Sequence, residues 1–268
     1  ALVASPEAQK VKDACPYGAI DLTMEPKTLT LKVGAITWAT GWKPYDAARL
    51  DTLGFKTCQN VVTNVMMERL SAWSGPTQGK IIRPSDGKAP ETIAFVQCAG
   101  SRDQNHLPFC SSICCLASMK QATYVREQYP DAKIYIFYID IRAMDRLETF
   151  YQKVKEDPNI RFFKGKVAKI EEDPATKNLL LRVEDTAAGA LHQITVDMAV
   201  LATGMQPNSS EDTLPGSIPI DEYGFVATLQ AQPGIYAAGC TRTPVAVSES
   251  VQDGTAAALK AIQSIARR

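Results

Sequence analysis

The residues best suited to chemistry in this 268-residue chain are four cysteines close together in sequence, Cys98, Cys110, Cys114 and Cys115. Four thiolates are the ligand set of a [4Fe–4S] cluster and also of tetrahedral zinc. We favour the iron–sulfur cluster. Two other interpretations stay open: the cysteines are small buried apolar side chains, or they form a zinc site or a redox disulfide.

The segments around these cysteines indicate a strand, a loop and a helix. Residues Thr92–Cys98 are typical of a buried strand, and Phe109–Gln128 of a helix. The last residue of the strand lies where α/β folds place their ligands. Cys110 and Cys114 are four residues apart, which places them on one helix face, while Cys115 approaches from the side. The N-terminus of a helix favours the negative charge of a thiolate-bound cluster.

The strand end that carries the cysteines is where a nicotinamide-binding domain has its glycine-rich phosphate turn. Here the strand is followed only by Ala99 and a lone Gly100. Asp140, at the end of the next predicted strand, takes the place of a ribose-binding acid. We therefore predict no tight NAD(P) binding. We interpret His106 as a loop histidine, with replacement of one thiolate in a zinc site as the alternative.

The chain after the cysteines predicts the rest of a βαβ unit and an antiparallel meander. A strand is expected at Lys133–Asp140 and a helix at Arg142–Asp157. The following strands are Phe162–Ile170, Asn178–Val183, His192–Val196 and the closing strand Met198–Leu201.

Two segments repeat one pattern, an apolar strand that ends in Ala-Thr-Gly and then turns toward a proline. The first is VGAITWATGWKP, which contains Gly41, and the second is DMAVLATGMQPN, which contains Gly204. Glycine permits a sharp exit from the strand, and proline stops the strand from continuing. Elsewhere we expect a helix at Val61–Trp73, a strand in GIYAAGC and a long helix at Val245–Ala266.

Composition argues against several classes of function. The 29 basic and 29 acidic residues balance, so there is no basic footprint for nucleic acid. No apolar run approaches the roughly 18–20 residues of a membrane helix, so we expect membrane association only through a partner. The chain has seven cysteines and is 45% hydrophobic, which is enough for a core that needs no stabilising disulfides. We therefore expect the cysteines to bind metal or to take part in redox chemistry in a reducing cytoplasm. Because the chain begins with Ala1 and has no signal peptide, we expect a fragment or a processed product.

The two Ala-Thr-Gly strand ends, the inserted βαβ-plus-meander segment and the closing GIYAAGC strand resemble the two-dinucleotide-binding-domain flavoproteins. The resemblance implies an α/β fold with an FAD-binding domain in residues 1–90 and 205–268. It implies an inserted NAD-like domain with a three-stranded antiparallel meander in residues 91–204. The FAD domain is incomplete, because a Gly-rich turn for the ADP half is missing. The CPYGAI segment resembles the end of a ferredoxin cluster motif without its companion cysteines, and we interpret Cys15 as structural.

A more specific resemblance is carried by FVQCAGSRD…FCSSICC, NVVTNVMMERL and IYAAGCTRTPVAVSESVQDGTAAALKAI. These motifs resemble the family of heterodisulfide reductase A subunits across nearly the whole chain. Within it, they are most similar to the A subunits of quinone-interacting membrane-bound oxidoreductase complexes of sulfate reducers. The resemblance implies FAD in the full-length protein. The residues expected along the flavin are Thr40, Gly41, Trp42, Gly239, Cys240, Pro244, Val247 and Ser248, with Cys240 contributing its backbone.

The function implied by the resemblance is electron transfer. FAD would convert between one-electron and two-electron transfer, and the cysteine-bound cluster would conduct the electrons. The implied protein is cytoplasmic and membrane-associated through partner subunits of a membrane-bound oxidoreductase complex. It relays electrons between quinone and a soluble reductase such as adenylylsulfate reductase. Two alternatives stay open: a degenerate flavoprotein scaffold without its own cluster, and a pyridine-nucleotide-disulfide reductase that uses Cys110 and Cys114 as a dithiol.

Overall fold

A computed structural model describes residues 5–211, 214–216, 218–227 and 234–266. The chain divides into two compact units, Ala1–Gly34 and Ala35–Arg268. The first unit contains helix α1 (Pro6–Asp13). Ser5 caps this helix, because its hydroxyl accepts the N–H of Ala8 at 3.2 Å.

The second unit contains the remaining elements. Its helices are α2 (Asn64–Ser71), α3 (Cys114–Gln128), α4 (Leu147–Lys155) and α5 (Val247–Ala266). Its strands are β1 (Ile36–Trp38), β2 (Trp42–Pro44), β3 (Val61–Thr63), β4 (Thr92–Ala99), β5 (Lys133–Tyr138), β6 (Ile160–Glu172), β7 (Leu179–Asp185), β8 (Ala190–Val196), β9 (Met198–Thr203), β10 (Met205–Pro207) and β11 (Ile235–Ala237).

A seven-stranded sheet has the order β3-β9-β4-β5-β6-β7-β8. Its first five strands are parallel, and β6, β7 and β8 form an antiparallel meander. All six residues of β9 are buried, as expected for a central strand covered on both faces. Residues of β7 alternate between buried and partly or fully exposed, as expected for a strand with one wet face. The predicted βαβ unit and meander are therefore confirmed.

Apolar side chains cover both faces of this sheet. On one face, helices α2, α3 and α4 contribute residues such as Met67, Met119 and Val154, which pack against the parallel strands. On the other face, the meander and residues 45–58 pack against the same strands, with Tyr45 and Leu50 among the buried side chains. The carboxyl ends of the parallel strands thus lie between two packed layers.

Two further sheets involve the two Ala-Thr-Gly repeats. Strand β1 lies in the first repeated segment, just before its Ala-Thr-Gly, and pairs in parallel with β11, with Thr37 opposite Tyr236. Strands β2 and β10, which leave the two repeats, pair antiparallel with each other. The repeats therefore lie at related places in the fold, which supports the pattern seen in the sequence.

Three helix boundaries differ from the sequence prediction. The helix expected at Phe109–Gln128 begins only at Cys114, because Ser112 has a left-handed backbone with φ of 63°. Residues 61–63 are a strand rather than the start of a helix, since they pair with β9. Helix α4 begins five residues after Arg142, and Asp145 is left-handed with φ of 55°.

Candidate functional site

The cysteine site begins where strand β4 loses its regular pairing. The register between β4 and β9 shifts between Val96 and Ala99. Cys98, within this irregularity, has a left-handed backbone with φ of 55°. Non-glycine residues adopt this conformation at a cost and mainly where the surroundings impose it. The backbone at Cys98 thus departs from the extended conformation of a continuous strand.

Buried serines hold the loop that joins Cys98 to α3. The hydroxyls of Ser101 and Ser111 lie 3.0 Å apart, and the N–H of Met205 donates to the Ser111 hydroxyl at 2.8 Å. Gly204 lies directly against this pair, since a β-carbon there would be 2.4 Å from the Ser101 hydroxyl oxygen. The second Ala-Thr-Gly repeat therefore supports the cysteine loop, and its glycine is required by close packing.

The four predicted thiols have different local partners. The Cys114 thiol donates to the main-chain oxygen of Thr203 at 3.8 Å, and the Cys115 thiol to that of Asp140 at 3.7 Å. Cys110 lies before the helix, where its sulfur accepts the N–H of Ser112 at 3.3 Å. The prediction that Cys110 and Cys114 share one helix face is therefore wrong, because the helix starts too late.

Three of the four cysteines lie at the ends of adjacent parallel strands. Cys98 lies in β4, the Cys114 thiol contacts the last residue of β9, and the Cys115 thiol contacts Asp140 just after β5. Burial, with a smaller contribution from Cys115, raises the pKa of Cys98 to about 11, although Arg102 opposes this rise. Burial also raises the pKa of Cys114. A single metal centre held by all four cysteines stays a prediction.

The donor set fits an iron–sulfur cluster in its chemistry. All four cysteines are free thiols rather than disulfides, and four thiolates are the usual ligands of such a cluster. In the part of the chain that the structure describes, no group of three or more Cys, His, Asp or Glu side chains is arranged to hold a metal ion. Cys110 lies in the loop before α3, outside the helices and strands.

Asp140, expected where a ribose-binding acid would lie, is engaged by two arginines. The Nη1 atom of Arg102 lies 2.8 Å from its Oδ1 atom, and the Nε atom of Arg142 lies 3.4 Å from the same oxygen. Strand β4 is followed by a cysteine loop rather than a glycine turn. The acid that follows β5 is thus engaged in ion pairs with two arginines of the same chain.

A cavity of about 470 Å³ lies beside Cys98 on the face of the sheet opposite the helices. His106 lines this cavity, and its Nδ1 atom lies 2.7 Å from the Tyr45 hydroxyl. Lys166 also lines it and forms an ion pair with Asp103 at 3.0 Å. His106 lies in the loop after β4 and is held by Tyr45, which follows β2.

The first group of predicted flavin residues meets the segment that follows β11. The hydroxyls of Thr40 and Thr241 lie 3.0 Å apart, and the N–H of Gly41 donates to the Thr241 hydroxyl at 3.2 Å. Asn208 supports the same turn by donating to the Thr40 oxygen at 2.7 Å. Trp42 lies next to this turn and is exposed.

The second group lies between β11 and α5. The N–H of Gly239 donates to the carboxylate of Asp253 at 2.8 Å, and the Cys240 thiol donates to the oxygen of Val245 at 3.5 Å. Pro244 is half-buried, whereas Val247 and Ser248, at the start of α5, are exposed. The N–H groups of Gly41 and Gly239 are thus occupied by side chains of this chain. These two glycine N–H groups are therefore not available to bind a phosphate in this structure.

Several residues of both sites were missed by sequence reasoning. Thr241 joins the turn at Gly41 to the segment after β11. Asp253 accepts the N–H of Gly239, and its carboxylate lies 2.7 Å from the Nη2 atom of Arg242. The available signal was Asp253 itself, a charged residue within an otherwise Ala-rich helix. Arg102 lies within the cysteine motif, but nothing in its local sequence indicates a role.

Comparison of folds defines the class of protein. The crystal structure of Lactococcus lactis thioredoxin reductase matches with a TM-score of 0.51 and 16% identity, over 87% of this chain and 67% of that one. The T. acidophilum thioredoxin reductase matches with a TM-score of 0.52 and 16% identity, over 85% and 65%. The fold is that of the two-dinucleotide-binding-domain flavoproteins, as predicted. At this level of identity the comparison shows the fold alone.

Sequence comparison is more specific, although no protein-family model matches the chain. An iron–sulfur A subunit of the CoB–CoM heterodisulfide reductase of Methanopyrus kandleri is 40% identical over 260 residues, which is 92% of this chain and 40% of that protein. The corresponding Methanocaldococcus jannaschii protein is 36% identical over 91% of this chain and 39% of that protein. The chain is similar to heterodisulfide reductase A subunits over about nine tenths of its own length, which confirms the predicted resemblance, and it spans about two fifths of these relatives' length.

Proposed function

We propose that this chain is the cysteine-bearing part of an FAD-dependent electron-transfer subunit, with a [4Fe–4S] cluster held by Cys98, Cys110, Cys114 and Cys115. The observation that carries the proposal is that the free thiols of Cys98, Cys114 and Cys115 lie at the ends of the adjacent strands β4, β9 and β5, where a nicotinamide domain has its phosphate turn, with Cys110 in the loop between them. The cluster would supply one-electron transfer.

The surroundings of the thiols favour an anionic group. Cys114 and Cys115 lie in the first turn of α3, where the helix dipole stabilises negative charge. The N–H of Ser112 points to the Cys110 sulfur, and Arg102 brings a positive charge near Cys98. The shielded position of Cys114, with little access to solvent, would exclude water from one side of the cluster.

FAD would lie against the turns at Gly41 and Gly239, which Thr40 and Thr241 link through their hydroxyls. The exposed start of α5 at Val247 and Ser248 leaves a surface open for the flavin ring, and a helix N-terminus stabilises negative charge on a reduced flavin. The ADP half needs a glycine-rich phosphate turn that none of these 268 residues supplies.

The partners in this proposal are the other subunits of a membrane-bound oxidoreductase complex, with quinone on one side and adenylylsulfate reductase on the other. The support is the motif resemblance to the A subunits of such complexes in sulfate reducers. The relatives found by sequence comparison are named as subunits of CoB–CoM heterodisulfide reductases. None of the helices described here is both long and apolar enough to cross a bilayer. We propose a cytoplasmic location with membrane association through partners.

A redox dithiol is the second candidate function for the same cysteines. Cys110 lies in a loop outside the helices and strands and is partly exposed, which suits a thiol that attacks a disulfide. The raised pKa values of Cys98 and Cys114 argue against it, because the thiolate is the nucleophile.

The test is iron, zinc and flavin analysis with a visible spectrum on anaerobically purified full-length protein. We expect bound FAD and about four iron atoms per chain for this cluster, because a [4Fe–4S] centre holds four. Cys114→Ser should remove the iron, whereas Cys58→Ser, at an equally buried cysteine outside the site, should retain it. Wild-type protein with flavin but no metal would contradict the cluster, and colourless metal-free protein would support a scaffold.

A further inference from the structure

Arg102 is held in an unusual conformation beside the cysteine site. Its backbone is left-handed, with φ of 56°, and its N–H donates to the oxygen of Phe109 at 3.1 Å. Its side chain is about one quarter exposed, at 26%. A left-handed arginine costs conformational energy, so the loop must impose this position. The loop thus directs the Arg102 guanidinium toward the end of β5.

Asp140 orients the guanidinium. The Arg102 Nη1 atom lies 2.8 Å from Asp140 Oδ1, which is an ion pair. The main-chain oxygen of Asp140 accepts the thiol of Cys115 at 3.7 Å. Asp140 therefore contacts both Arg102 and Cys115, which places the positive charge next to the cysteine site.

Arg102 lies within the loop that carries the cysteines. It follows Cys98 by four residues, and its N–H donates to the oxygen of Phe109, the residue before Cys110, at 3.1 Å. An arginine side chain is effectively always protonated, so a positive charge lies beside this loop.

We propose that Arg102, oriented by Asp140, is a positioning residue that sets the reduction potential of the cluster at the four cysteines. The inference rests on the proposed function. Reduction adds one electron and one negative charge to an already anionic cluster, and no bond forms or breaks. A fixed positive charge beside the cysteine loop stabilises the reduced state more than the oxidised state, and so raises the potential.

The same arrangement gives Asp140 a role different from that of a ribose-binding acid. Its Oδ1 atom lies 2.8 Å from the Nη1 atom of Arg102 and 3.4 Å from the Nε atom of Arg142. The acid at the end of β5 thus serves the cysteine site, whereas the corresponding acid of a nicotinamide domain serves a dinucleotide. The cysteine loop in place of a phosphate turn and the pairing of Asp140 with arginines both fit a site for a thiolate-bound cluster rather than for a dinucleotide.

The experiment is a redox titration of anaerobically purified full-length protein, followed by electron paramagnetic resonance, with iron measured in parallel. Arg102→Gln and Arg102→Met remove the charge, and Arg102→Lys retains it. Arg182→Gln is the matched control, since Arg182 pairs with Glu171 on the exposed side of the meander. We expect a shift of about tenfold in the reduction equilibrium toward the oxidised cluster in both neutral variants, which is a potential about 59 mV lower for a one-electron couple.

The remaining outcomes separate this inference from the proposed function. Arg102→Lys should recover at least half of the shift, and Arg182→Gln should leave the potential unchanged. A neutral Arg102 variant with full iron and the wild-type potential would overturn the inference while leaving the cluster intact. Wild-type protein without iron would overturn the proposed function itself, before any variant is compared.

Discussion

The thiol of Cys114 donates to the main-chain oxygen of Thr203 across 3.8 Å. This contact joins the first turn of α3 to the end of β9, where the second Ala-Thr-Gly repeat begins its turn. The first repeat, by contrast, meets the segment after β11 through Thr40 and Thr241. Two copies of one sequence pattern thus support two different sites, one at the cysteines and one facing the predicted flavin.

The packing at Gly204 predicts that Gly204→Ala destabilises the cysteine loop. The added β-carbon would lie 2.4 Å from the Ser101 hydroxyl oxygen and 2.6 Å from the Leu107 Cδ1 atom. Overpacking of this kind costs about 1–3 kcal/mol. Urea denaturation should therefore show a lower free energy of unfolding, with iron content reduced in the anaerobic protein.

The control for this substitution is Gly254→Ala, in the middle of α5. No atom lies within 4 Å of a β-carbon built there. Alanine in a helix interior is more favourable than glycine by about 0.5–1 kcal/mol, so stability should stay unchanged or rise. Equal destabilisation by both alanines would contradict the role assigned to Gly204.

Thiol reactivity should depend on pH in a residue-specific way. Burial raises the pKa of Cys98 to about 11, with help from the neighbouring Cys115 sulfur. Only the thiolate reacts with iodoacetamide, so labelling of Cys98 in the cluster-free chain should be slow at pH 7–8 and should increase toward pH 11. Timed labelling followed by peptide mass spectrometry measures each cysteine separately.

Cys15 provides the internal comparison for that measurement. Hydrogen bonds from the N–H groups of Ala19 and Tyr17 lower the pKa of Cys15. Its labelling should therefore be faster than that of Cys98 at every pH below 9. If Cys98 reacted as fast as Cys15 at neutral pH, the buried, protonated state of the cluster-free thiol would be ruled out.

The pairing of Tyr45 with His106 predicts that Tyr45→Phe loosens the cysteine loop. The substitution removes the hydroxyl that lies 2.7 Å from His106 Nδ1 and keeps the buried ring. Loss of one such hydrogen bond costs about 0.5–1.5 kcal/mol. Hydrogen exchange should accelerate in residues 100–109, while Tyr17→Phe, at a tyrosine that is 89% exposed, should have no effect.

Nicotinamide cofactors should not stabilise this chain. Asp140 is engaged by Arg102 and Arg142, and strand β4 ends in a cysteine loop. Because a ligand that binds the native state raises the melting temperature, thermal unfolding with NADH or NADPH should match unfolding without them. A saturable increase in melting temperature would show that the ionic network yields to a dinucleotide.

Much of the fold was predictable because its strands have strong patterns. The apolar run at Thr92–Cys98 and the alternating segments of the meander predicted strands that the structure contains. The start of α3 was not predictable, since it depends on the left-handed backbone at Ser112. The division into an FAD domain and an NAD-like domain stays a prediction.

The sequence by itself determined the chemistry available to this protein: four cysteines, two Ala-Thr-Gly repeats and the absence of a glycine-rich phosphate turn. Residue type and short-range spacing carry this information because they define donor atoms and local conformation. The tertiary structure decided which groups meet. Arg102 and Asp140 form an ion pair only because parallel pairing of β4 with β5 brings their ends together, and such long-range contacts leave no local pattern.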